Sequence, residues 1–226
     1  MRLSRRQALA AGGTALVAGL AGCSGSGSTA SSDDPTLDSH PAGRGIGAQP
    51  RLGPPPGETT GTVVAFEDPS CPRCAAFERE TVPKIRSNLV EPGDATFVFR
   101  GVPVVYSWGD PASRALEAAY AESADAFWAL AGHYFENQSS FRGRGDGDVL
   151  SMTASFLDAE TALDGTSVVD AVRAGTADDA VETDLSAGED AGVEATPTVF
   201  LFREQTLQTQ VRGSASYDVV AGALDL

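Results

Sequence analysis

The sequence predicts an α/β domain interrupted by a helical insertion, and three observations carry that prediction. A β-branched run, Thr62-Val63-Val64, and a second run, Ala95-Thr96-Phe97-Val98-Phe99-Arg100, flank a helical pattern that begins near Pro72, the order of a parallel strand-helix-strand crossover. From Pro111 to about Gly192 apolar residues recur every three or four positions, the period of amphipathic helices. Strand character returns at Ala195-Thr196-Pro197-Thr198-Val199-Phe200-Leu201-Phe202 and at Gln208 to Val211, read as an antiparallel hairpin added to the parallel pair.

Residues 1–22 read as an export signal outside the fold. Arg5-Arg6 precede a stretch of small apolar residues, Ala8 to Ala21, too short for a comfortable membrane span. This resembles a twin-arginine signal, with Ala8 where Phe is often found. Leu20-Ala21-Gly22-Cys23 resembles the lipobox of lipoproteins, so cleavage is expected to leave Cys23 as a lipid-bearing N-terminus. Residues 23–57 read as a flexible tether: Ser24-Gly25-Ser26-Gly27-Ser28 and Pro54-Pro55-Pro56-Gly57 bracket a stretch without sustained apolar period, and His40 within it is expected to be solvated.

The globular domain is assigned to residues 58–226. Its first strand covers about 62–66, the helix after it about 72–89 with a kink at Pro83, and its second strand 95–100 after the turn Glu91-Pro92-Gly93-Asp94. Within the insertion, about 107–190, Ala112, Ala115, Leu116, Ala119 and Tyr120 mark one apolar stripe, and Phe127, Leu130, Ala131, Tyr134 and Phe135 mark another. Further helices are expected over about 148–157 and 167–185, and a last one over 216–224. Trp128 and His133 are expected in the core or on a helix surface.

The 226 residues are 42% hydrophobic, enough for one sizeable core. Acidic residues number 31 against 16 basic, and Lys84 is the single lysine. Loss of residues 1–22 takes the net charge from −15 to −18. Such a lysine-poor acidic balance is expected of a halophilic protein, in which high salt screens self-repulsion. It argues against binding nucleic acid through its phosphates.

Cys71-Pro72-Arg73-Cys74, at the junction from first strand to helix, carries the chemistry. Pro72 fits the first helical position, where its missing N–H costs nothing, and Ala75 to Glu80 tolerate or favour helix. Cys71 then sits at the helix N-terminus, where the dipole stabilises a thiolate, and Cys74 lies one turn on, within reach of a small disulfide ring. Arg73 adds positive charge; Glu67 and Asp68 oppose it. A zinc site would need four ligands, and beyond this pair the chain offers Cys23, His40 and His133. A purely structural disulfide would close a ring too small to constrain the unfolded chain much.

Three features together, Asp68-Pro69-Ser70-Cys71-Pro72-Arg73-Cys74, the helical insertion and Gly192-Val193-Glu194-Ala195-Thr196-Pro197-Thr198, resemble the thioredoxin superfamily. Within it they resemble the DsbA-like thiol–disulfide oxidoreductases, over about residues 58–226. The combination with the signal and charge is that of an exported lipoprotein of halophilic archaeal type. The resemblance implies a thioredoxin-like fold with an inserted helical domain, and a cis Thr196–Pro197 bond facing the cysteines. It also implies an acid six residues before the first cysteine, a position that Ala65 fills here.

The expected function is thiol–disulfide exchange on exported proteins, with Cys71 forming the mixed disulfide and Cys74 resolving it. Pro72, Arg73, Thr196 and Pro197 are expected to shape the substrate site. Disulfide formation leads, because disulfides persist outside the cytosol; reduction or isomerisation by the same fold is the alternative. So is a non-catalytic module that captures a partner or Cu(I), although only Met152 follows the initiator methionine. No resident cofactor or metal is expected. The expected partners are exported protein thiols and disulfides and a membrane redox protein that recycles the dithiol, with the chain held at the membrane by lipid on Cys23.

Overall fold

A computed structural model describes residues 34–226; the export signal, Cys23 and the start of the tether lie outside them. Five strands form one sheet in the order β1-β3-β2-β4-β5: β1 Arg51–Leu52, β2 Gly61–Glu67, β3 Ala95–Gly101, β4 Thr198–Arg203 and β5 Thr206–Arg212. Only β2 and β3 run parallel, in register from Gly61 opposite Ala95 to Glu67 opposite Gly101. Every residue of β2 and β3 is buried, so both faces of the sheet must be covered.

One face carries Val63, Ala65, Phe97, Val199 and Leu201. Against it pack Phe77 of α1 (Pro72–Glu80), Ile85 of α2 (Val82–Ile85), and Val220 and Leu224 of α9 (Tyr217–Leu224). The single helix expected from Pro72 breaks at Thr81, because Pro83 has no N–H for the preceding turn and its ring crowds that turn's carbonyl. This helical stretch then ends in a wide π-type turn over Arg86–Val90.

The insertion contains α3 (Gly109–Glu122), α4 (Ala124–Glu136), α5 (Gln138–Phe141), α6 (Asp146–Glu160), α7 (Gly165–Arg173) and α8 (Asp178–Asp190). Ser123 divides α3 from α4 by capping α4, its hydroxyl accepting from the Ala126 N–H at 3.2 Å. The helix expected over 167–185 is two, divided near Gly175, whose φ of +72° does not continue a right-handed helix. Trp128 and His133 both lie on α4. Trp128 packs against Phe97, Phe99 and Phe127, and His133 stacks on Phe156.

The segment 37–46, expected within a free tether, instead lies on the second sheet face, and Arg51–Leu52 after it form the edge strand β1. Leu37 and Ala42 are buried against Val64, Phe66, Val98, Phe200 and Phe202, and His40 packs on the rings of Phe200 and Phe202 rather than standing in solvent. Two ties hold it. Leu37 N–H donates to the Gln205 carbonyl at 2.7 Å. Arg100, fully buried and paired with Asp184 at 2.8 Å, also donates to the Arg44 carbonyl. A few isolated apolar residues and main-chain bonds hold this segment, a pattern with no period to read.

Candidate active site

Cys71 is the N-cap residue of α1, with extended backbone (φ −77°, ψ 121°), and Pro72 opens the helix. Both cysteines are free thiols; Cys71 is 4% exposed and Cys74 is sealed. Cys71 Sγ lies 3.3 Å from the Thr196 carbonyl, to which its thiol donates. The Thr196–Pro197 bond is cis. It brings residues far apart in sequence to the cysteine pair, as expected.

The Cys71 thiol is lowered to about 6. The leading cause is a hydrogen bond from the Cys74 thiol; Thr196, whose hydroxyl has no other partner, and the backbone N–H groups of Cys74 and Arg73 add to it, while burial opposes. The help from Arg73 comes through its backbone, not through the guanidinium charge expected from the sequence. Cys74 is pushed the other way, well above an ordinary thiol, chiefly by burial, then by its bond to Cys71 and the nearby charge of Glu67. The two sulfurs are thus chemically unequal: one ionises readily near the surface, and one keeps its proton inside.

Pro72 and Arg73 are exposed, and together with Cys71, Val104, Val105, Glu194, Ala195 and Thr196 they line a cleft of about 500 Å³. A larger recess of about 660 Å³, lined by Glu117, Tyr120 and Ala171 among others, shares no residue with it. Val104, Val105 and Tyr106 stand 61%, 41% and 43% exposed, an apolar wall beside the thiol.

Asp68 and Ser70 hold that wall. The fully buried Asp68 carboxylate accepts from Val104 N–H (2.9 Å), Val105 N–H (2.7 Å) and Ser70 N–H (2.7 Å), and the Ser70 hydroxyl accepts from Tyr106 N–H at 3.0 Å. Gly109 admits this arrangement, since a Cβ there would stand 2.6 Å from Asp68 Oδ1. From the insertion, Gln138 Nε2 donates to the carbonyls of Pro69 (2.8 Å) and Cys71 (2.9 Å). Sequence reading singled out Asp68 only as a charge and missed Gln138, which reaches the loop through tertiary docking of α5. Ala65 lies on the sheet face beneath α1, with no titratable group to offer.

A family described as Thioredoxin matches residues 52–222. Two curated relatives, each called a probable disulfide bond formation protein D, align over 76 residues: that of Bacillus cereus at 28% identity and that of Bacillus anthracis at 26%. Each alignment covers 34% of this chain and 35% of the relative, so the chain spans about a third of the length of the curated relatives it matches. Among crystal structures, oxidised BdbD from Bacillus subtilis superposes with a TM-score of 0.68 at 25% identity, over 80% of this chain and 92% of that one. The alpha-DsbA1 structure from Wolbachia pipientis shares the fold at a TM-score of 0.65 and 18% identity, over 78% and 89% of the two chains.

Proposed function

Since the chain belongs to the thioredoxin family, we propose that it is a thiol–disulfide oxidoreductase of the DsbA type, acting on exported proteins and most often forming disulfides in them. The observation that carries this reading is the inequality of the two thiols across one helical turn: Cys71 lowered to about 6 at the cleft, Cys74 raised and sealed behind it. The names borne by the Bacillus relatives point the same way.

In disulfide formation a substrate thiolate attacks Cys71 of the oxidised pair, Cys74 leaves, and a second substrate thiol displaces Cys71 to complete the substrate disulfide. Cys71 is then a good leaving group, because it departs as a stabilised thiolate. The exposed Pro72 and Arg73, the Thr196 backbone and Pro197 shape the ground on which an extended segment lies. Reduction would run the same steps backwards.

The lowered Cys71 thiol favours the oxidising direction. Its pKa in the folded dithiol lies below that of a free thiol, so the reduced protein gains stability above pH 6 and loses it as pH falls through 6. At pH 7, a value of about 6 in place of 9.0 favours the reduced form by about 1.4 kcal/mol, which raises the potential by about 30 mV. The dithiol is thereby a stronger oxidant when oxidised.

Export through residues 1–22 and anchoring by lipid on Cys23 complete the proposal, on the sequence of those residues. Among the described residues no helix is long and apolar enough to cross a membrane. A membrane redox protein would return the reduced pair to the disulfide. Replacing Cys71 by Ser tests the core of the reading: disulfide formation in a reduced, unfolded substrate protein should cease, and undiminished activity would overturn it. Replacing Cys74 by Ser should instead accumulate the mixed disulfide on Cys71.

A further inference from the structure

The chain is strongly acidic, yet the surroundings of its exposed thiol are not. Among the residues that line the Cys71 cleft, two are charged at neutral pH, Arg73 and Glu194. The Glu194 carboxylate is paired with Arg212 at 2.6 Å, so its charge is offset where it stands. Arg73, two residues beyond Cys71 on α1, is exposed, and among the described residues its guanidinium forms no ion pair. Its carbonyl accepts from the Ser214 hydroxyl at 3.0 Å, a bond that anchors the main chain and not the charge.

A second cation stands at the end of the apolar wall. Arg142, the residue that follows α5, is exposed, and its guanidinium lies 5.6 Å from the centre of the Tyr106 ring. It too forms no ion pair among the described residues. The same short helix carries Gln138, whose amide donates to the Cys71 carbonyl, so Arg142 belongs to the element that grips the cysteine loop. Elsewhere Arg44, Arg114, Arg173 and Arg203 each face a carboxylate, and Arg144 turns back to the Ser140 carbonyl. Arg51, Arg79, Lys84 and Arg86 line no part of the cleft.

Two unpaired guanidinium groups and the N-terminal end of α1, whose dipole is positive, therefore meet around one apolar wall. An extended segment advances about 3.3 Å per residue. With its sulfur on Cys71, its side chains one and two positions away come within reach of the long Arg73 side chain. The arginine fork takes a carboxylate through two parallel hydrogen bonds, a match that neither an amide nor a cation offers.

We propose that the cleft selects substrate cysteines with aspartate or glutamate one or two residues away, Arg73 binding the carboxylate first and Arg142 adding to it. This rests on the exchange reading of Cys71 and Cys74. The net charge of −15 repels acidic partners at long range, so the preference must arise in contact. Salt separates the two effects: at about 1 M the Debye length is about 3 Å, which removes the distant repulsion and spares groups in contact. The exchange itself is unaltered. One peptide thiolate bonds to the Cys71 sulfur, the Cys71–Cys74 bond breaks with its electron pair on Cys74, and a second peptide thiolate displaces Cys71. Two peptide thiols become one disulfide, the cysteine pair is reduced, and the two protons go to that pair and to water.

Oxidation of single-cysteine peptides by the oxidised chain, in about 1 M salt at neutral pH, tests the preference. The cysteine is flanked on both sides by aspartate, asparagine or arginine, and each rate is divided by that of the same peptide with neutral hydroxyethyl disulfide, which cancels the peptide's own reactivity. The aspartate peptide should react faster than the arginine peptide by a factor of about three or more, with asparagine between, the size expected of exposed ion pairs. Aspartates moved about five residues from the cysteine should behave as asparagine does, because the contact is lost. Arg73→Glu should invert the order, and Arg142→Gln should narrow it. Equal normalised rates for the three peptides, or an order that survives Arg73→Glu, would overturn the proposal and leave the exchange reading standing. Should Arg73→Glu fail to fold, an undiminished aspartate preference in Arg73→Gln overturns it instead. A wild-type chain that oxidises none of the peptides would remove the exchange reading, and the preference with it.

Discussion

Replacing Asp68 by Ala should release the apolar wall of the cleft. The carboxylate takes three backbone N–H groups, from Ser70, Val104 and Val105, at 2.7 to 2.9 Å. A hydrogen bond to a carboxylate contributes roughly 1.5–3 kcal/mol, and a buried donor left without a partner forfeits that in full. The losses differ by site. Val104 and Val105 are 61% and 41% exposed, so their amides regain water, and each loss falls nearer the neutral-bond value of about 1 kcal/mol. The Ser70 residue is 1% exposed, and its amide does not recover. The expected loss is about 3–5 kcal/mol, read from denaturant unfolding in high salt. Amide hydrogen exchange at Val104 and Val105 should rise while that of β2 changes little. A loss under about 1 kcal/mol with unchanged exchange at both valines would refute the reasoning.

Two further outcomes follow from the same structure. Alkylation of reduced Cys71 by iodoacetamide should titrate with a midpoint near 6, falling as pH drops through that value, and a midpoint near that of a free thiol would remove the proposed leaving-group advantage. Asp184→Ala should leave Arg100 buried without its counter-charge and cost about 3–5 kcal/mol, visible as a Tm lower by about 10 °C or more and as proteolytic sensitivity of residues 34–57.

The central strands were legible because β2 and β3 are short, β-branched or aromatic runs buried on both faces, and β4 repeats that character behind Pro197. The cysteine turn was legible for a different reason: Pro72 and the two-residue spacing fix a helix start whatever surrounds it. Residues 34–57 were misread because Leu37, Ala42 and His40 dock singly, and a two-residue strand, β1, leaves no periodic trace. Glu67 and Asp68 could not be told apart from sequence. Strand alternation gives opposite faces to neighbours, but only the end of β2 at Glu67 decides that this acid faces α1 while Asp68 turns into the loop.

Equilibration of the purified chain with mixtures of reduced and oxidised glutathione at high salt, with the Cys71 and Cys74 thiols counted by alkylation, tests the central claim most directly. Reversible two-electron exchange, at a potential above the thioredoxin value of about −270 mV, is the predicted result. A potential at or below that value would contradict the disulfide-forming direction, and a pair that never equilibrates would contradict exchange itself.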